Sequence, residues 1–124
     1  MTVDPRTEIP DAGEVRALWA GLLLPPIAFL IDLEAAYALV PAACSSRNGL
    51  PVHLVHLVCL ALALFGGITA WRWWKLQGAI WPGVEGTPLA RSRFMAGLGV
   101  LVGGLFVLVI LAMWIPSFVL DPCQ

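Results

Sequence analysis

Five side chains in this chain could do chemistry: Asp32, Glu34, Tyr37, His53 and His56. A carboxylate can hold or pass a proton, and imidazoles suit copper, zinc and iron, including haem iron. What they can do depends on where they sit. Asp32, Glu34 and Tyr37 lie inside LWAGLLLPPIAFLIDLEAAYALV, the apolar run Leu18–Val40. A charged group near the middle of a bilayer costs about 2.5–3.5 kcal/mol on insertion scales. That cost argues against both acids facing lipid. Asp32 lies seven residues after Pro25 and shares its face, whereas Glu34 is two residues further on, about 200° round a helix. One acid therefore points into a bundle and the other towards a partner, a cavity or the outer interface. Tyr37, three residues after Glu34, is placed to hydrogen-bond it on the same face.

His53 and His56 open the second apolar run, with Cys59 on the same stripe. On antiparallel neighbours Asp32 and His56 differ in depth by only a turn or so. Three readings of this polar group stay open. In the first, an acid bonds a histidine or tyrosine across helices and fixes helix rotation. In the second, the group handles protons or contacts another protein, since intramembrane acids are functional candidates by default. In the third, His53 and His56 hold haem or copper. Metal-site histidines need further ligands and supporting hydrogen bonds, and an HxxH spacing alone supplies neither. The structural reading stands first.

The elements that must position these residues are membrane spans. Hydrophobic residues make up 60% of the 124 and charged residues 12%, half the charged share of an ordinary soluble domain. The apolar residues come in three blocks: Leu18–Val40, about Val52 to Trp71, and about Phe94 to Ile115. Each is long enough to cross a bilayer. The expected fold is an all-α integral membrane three-helix bundle over residues 17–120. A flexible polar tail precedes it over residues 1–16, with a short helical turn near Asp11 or Ala12, and a short outer tail follows over residues 121–124. Pro25 and Pro26 are expected to kink the first span. Residues 41–52 and 72–93 read as loops, the first short enough to make its flanking helices antiparallel neighbours.

Small residues mark how the spans meet. Ala63 and Gly67 in the second, and Gly99 and Gly103 in the third, are spaced four apart, which lets helix backbones approach closely. Both slim halves lie on the long-loop side, so antiparallel packing through them is expected. Trp71, Trp73, Trp74 and Trp81 read as an interfacial belt. Six of the seven Lys and Arg residues lie on the N-terminal and long-loop side, and only Arg47 on the other. The positive-inside rule then places the N-terminus in the cytoplasm and the C-terminus outside. On that topology Cys44 and Cys123 both lie outside, a few residues past helix ends. In an oxidising compartment they are expected to form a disulfide, with Cys59 a buried packing residue.

Other function classes find little support. A net charge of −1 offers no footprint for nucleic acid. The acidic start lacks the basic opening of a cleavable signal peptide, and Cys123 is misplaced for prenylation. The glycines of the third span sit in an apolar helix, so they form no phosphate loop. The serines lack a spaced base and acid, and three spans are too few for a repeat-built transporter. The chain does not read as an enzyme.

Three stretches carry a resemblance: LLPPIAFLIDLEAAYALVPAAC, HLVHLVCLALALFGGITAWRWW and RSRFMAGLGVLVGGLFVLVILAMWIPSFVLDPC. They resemble a group of small, uncharacterised three-span proteins encoded beside bacterial haem-copper (cytochrome c) oxidase genes. Pro26, Asp32, Tyr37, Cys44, Trp71, Arg72, Arg93, Phe94, Pro116 and Cys123 are the matching positions. The resemblance implies a bacterial inner-membrane protein associated with respiratory complexes, and no known activity. The expectation is a non-catalytic accessory subunit or assembly partner, touching lipid and larger membrane-complex subunits. A haem- or copper-binding redox protein using His53 and His56, or a homo-oligomeric small channel, are the alternatives.

Overall fold

The computed structural model describes residues 11–121 and 123 and is helical throughout its core. Three long helices, α1 (Ala12–Ser46), α2 (Leu50–Leu76) and α3 (Pro88–Trp114), are followed by a single turn, α4 (Pro116–Val119). All three long helices are long and apolar enough to cross a membrane, the third together with α4. Their outward surfaces carry Leu, Ile, Val and Phe side chains, which water would not tolerate in such density but lipid does. The chain is a multi-pass membrane protein.

Helix boundaries lie outside the apolar blocks. Residues 12–16 belong to α1, so the expected tail is helical there; its first ten residues lie outside the described residues, as do Pro122 and Gln124 of the expected outer tail. The expected loop 41–52 shrinks to Arg47–Gly49, because α1 continues through Pro41 to Ser46. A proline inside a helix removes one backbone bond, and the Ala, Cys and Ser residues after it keep the remaining ladder. Arg47 then takes a left-handed conformation (φ 50°), and the Asn48 N–H bonds back to the Ala43 carbonyl at 3.1 Å. The expected loop 72–93 shrinks to residues 77–87, since α2 runs on to Leu76 and α3 starts at Pro88. The charged and aromatic residues at those ends leave the lipid without leaving the helix. Thr87 caps α3, its hydroxyl accepting from the Ala90 N–H at 3.2 Å, as N-cap threonines do.

Each helix buries a narrow stripe. In α1 it is Leu18, Gly21, Pro25, Ala28 and Asp32; in α2 it is Val52, His56, Cys59, Ala63, Gly66 and Ala70. The steps alternate between three and four residues, the seam of helices packed near-parallel with a left-handed twist. Most of these side chains are small, so backbones come close. Gly21 lies against Ala70 and Gly66 against the Pro25 ring, which sets α1 and α2 antiparallel. Gly103 faces Gly67 across the α2–α3 contact, and Gly99 faces both Ala70 and Gly21. Pro25 thus seats its ring against Gly66 and Gly103. Above this seam Ala28, Ala63 and Ile110 form a fully buried layer, flanked by Phe29, Leu60 and Val107.

At the far end of α1 and α3, Cys44 and Cys123 form a disulfide with Cα atoms 5.1 Å apart, inside the usual 4.4–6.8 Å range. The bridge closes a loop of 79 residues. Chain-entropy arithmetic for a loop of that length gives about 4.5 kcal/mol, an upper bound because the bilayer already confines the unfolded chain. Cys44→Ala is expected to lower stability by less than that and to abolish the mobility difference between reduced and unreduced protein on a denaturing gel. An unchanged mobility difference would mean another pairing.

Candidate polar site at the disulfide end

The buried stripes carry one costly residue. Asp32 is fully buried on α1 and His56 is 2% exposed on α2. The same antiparallel register that sets Pro25 on Gly66 brings them together. His56 Nδ1 lies 2.8 Å from Asp32 Oδ1 and 3.0 Å from Oδ2. A single nitrogen reaching both oxygens gives the carboxyl group a partner in a place where water cannot serve. Such a bond also fixes helix rotation, because turning either helix would leave a buried polar group unpaired. Cys59, one turn further along α2, is buried, outside any disulfide, and adjoins Asp32.

His53 does something different. The Trp114 indole Nε1–H of α3 donates to His53 Nδ1 at 2.9 Å. An indole nitrogen can only donate, so Nδ1 must accept and the neutral ring carries its proton on Nε2. Phe118 of α4 lies against the same imidazole, with ring centroids 4.8 Å apart, and Trp114 also borders His56, at 6.2 Å. Trp114 and Phe118 are therefore the residues that organise this end, and the sequence reading passed over them. Their signal was positional: Trp114 lies four residues after the buried Ile110, so the inward stripe of α3 extends to it.

The expected five-residue cluster is thus corrected to two separate pairs, Asp32–His56 and His53–Trp114. Glu34 and Tyr37 are on the outside of α1; Tyr37 is 81% exposed, and neither bonds another side chain among the described residues. The 200° between the two acids put Asp32 inward and Glu34 outward. The pairing also bears on the metal reading. His53 Nδ1 is held as an acceptor, so its Nε2 has no lone pair to give an ion. Among the described residues no group of three or more His, Cys, Asp or Glu side chains is arranged to hold a metal. Among the described residues, His53 and His56 are therefore joined by no further ligand that would complete a copper site.

At the opposite end, Trp71, Trp74 and Trp81 meet edge-on and tilted in sequence, with centroids 5.8 and 6.2 Å apart. Trp81 lies over Gly97, tying the long connection to α3. Gln77 links the ends of α1 and α2 through its side-chain N–H bond to Glu14 at 3.0 Å, and its backbone carbonyl accepts from the Arg93 Nε–H at 3.1 Å. These contacts tie the long connection to the helix ends.

Comparison with protein families, with curated proteins and with solved structures finds no match to this chain.

Proposed function

We propose that this protein is a non-catalytic accessory subunit of a larger membrane complex, docked through the Glu34–Tyr37 face of α1. One observation carries the reading: Glu34 is an exposed carboxyl group at bilayer depth with no side-chain partner among the described residues. The centre of α2 is Ala63, which the register places opposite Ala28. Glu34 lies six residues from Ala28, about 9 Å along the helix, inside a hydrocarbon half-thickness of about 15 Å. Tyr37 lies one turn further on the same face. Asp32 has its histidine, so the outward pair is what remains for another protein to satisfy, by a cation or hydrogen-bond donor on a neighbouring helix.

The likeness to small proteins encoded beside oxidase genes supports a respiratory complex of the cytochrome c oxidase kind as the partner. It also supports a bacterial inner membrane as the location. The lopsided distribution of Lys and Arg and the disulfide support a cytoplasmic N-terminus and a C-terminus on the oxidising side.

Tagged full-length chain, purified in mild detergent from its native membrane, tests the reading. Larger subunits are expected to co-purify, and Glu34→Leu is expected to reduce their recovery by about tenfold, the loss of one charge-assisted contact. The same variant should leave the isolated chain as stable as before. Equal recovery with both proteins would overturn the proposal. Recovery of nothing but further copies of the chain would replace it with a homo-oligomer.

A further inference from the structure

A cavity of about 260 Å³ opens at the disulfide end, lined by Val40, Val52, His53, Ser117, Leu120 and Asp121 together with Gly49 and Pro116. Its depth follows from the helices. Val52 and His53 lie ten to eleven residues from Ala63, about 15–17 Å from mid-bilayer, where hydrocarbon gives way to headgroups. Its lining divides by chemistry. Val40, Val52, Pro116 and Leu120 make an apolar wall. His53 contributes one fixed donor, because the Trp114 bond to Nδ1 leaves the proton on Nε2. Ser117 adds a hydroxyl. Asp121 adds a carboxylate, whose Oδ1 also accepts from the Cys123 N–H at 3.3 Å.

A ligand that satisfies this set needs an apolar part, an oxygen acceptor for His53 and Ser117, and a hydrogen-bonding cation for Asp121, all at the membrane surface. We propose that the cavity binds the headgroup of a phospholipid carrying a primary ammonium, such as phosphatidylethanolamine. Its phosphate or ester oxygens accept from His53 Nε2–H and the Ser117 hydroxyl, and its ammonium donates to Asp121. A trimethylammonium headgroup carries the same charge but no N–H, so phosphatidylcholine lacks the bond to Asp121. A headgroup without a cation places its negative charge beside a carboxylate. This site is independent of the Glu34 face, and its test involves no protein partner.

The experiment uses the full chain, purified, delipidated in detergent and reconstituted into nanodiscs of equal parts phosphatidylethanolamine, phosphatidylcholine and phosphatidylglycerol. After re-extraction the retained lipid is quantified by mass spectrometry. Phosphatidylethanolamine is expected to be enriched over the other two, at about one per chain. Asp121→Asn, which keeps the side chain's shape and its bond to the Cys123 N–H, should lower that enrichment by about tenfold, the effect of one charge-assisted hydrogen bond. His53→Gln should lower it as well. An intact disulfide on an unreduced gel shows that each variant keeps this end closed. Soluble phosphoethanolamine, which has the headgroup without the chains, should compete only weakly. Retained lipid in the proportions supplied, or enrichment unchanged in Asp121→Asn, would overturn the proposal.

Discussion

His56→Leu should destabilise the isolated protein by about 3 kcal/mol, the low end of what stranding one member of a buried pair costs. The low end applies because a membrane-inserted unfolded chain finds other partners for its polar groups. The loss comes from Asp32, which is fully buried and both of whose oxygens lie within hydrogen-bond distance of this imidazole. The double variant Asp32→Leu/His56→Leu should recover most of the loss, since packed apolar groups serve a lipid-enclosed core as well as a bonded polar pair does. Unfolding by denaturing detergent reads both, with tryptophan fluorescence as the signal, because Trp114 borders His56. The comparison separates a structural pair from a chemical one. A structural pair is restored by the double substitution in every property, including partner recovery. A single variant costing less than about 1 kcal/mol, the worth of an ordinary interhelical bond, would mean that the contact supports little of the fold.

Gly103→Ala should be nearly as damaging, and its neighbour Gly104 should not matter. A Cβ built on Gly103 would lie 2.7 Å from the Gly67 Cα, a backbone atom that cannot rotate away. Helix α2 or α3 must shift, and overpacking of this kind costs about 1–3 kcal/mol. The contact is asymmetric: a Cβ on Gly67 would meet Gly103 at an ordinary 3.6 Å, and one on Gly104 would meet nothing within 4 Å. Gly104→Ala should therefore be neutral or stabilising by up to about 1 kcal/mol, the helix preference of alanine over glycine. The same detergent unfolding on both variants checks the order. Equal effects at Gly103 and Gly104 would mean that α2 and α3 do not meet through this face.

Much of this was readable from residue types. Three apolar blocks named three spans, because lipid leaves a chain few other ways to satisfy its backbone. The small-residue spacing in the second and third spans pointed to their long-loop halves, where Gly67 and Gly103 meet. The helix ends were not readable, because hydropathy marks where a helix leaves lipid and not where its hydrogen bonding stops; Trp73, Trp74 and Lys75 are helical and yet outside the apolar block. The polar site was half readable. Angular separation showed that Asp32 and Glu34 face apart, but which turns inward depends on register, and register is set by Pro25 against Gly66, some seven residues away. His53 and His56 looked like one unit because they share a face. Helix rotation puts His56 in the dry seam and His53 at its margin, where α3 and not α1 supplies its partner.

The Asp32–His56 bond spans 24 residues of chain, and that interval has a meaning during synthesis. At 5–20 residues per second, His56 leaves the ribosome roughly one to five seconds after Asp32. A nascent α1 entering lipid alone would carry two unmatched acids. One that waits at the translocon for the hairpin to close through Arg47–Gly49 enters with only Glu34 outstanding. The short connection Arg47–Gly49 adds little to that interval. Insertion of α1 and α2 as one body, with α3 arriving afterwards to set Trp114 on His53, is the order this arrangement favours.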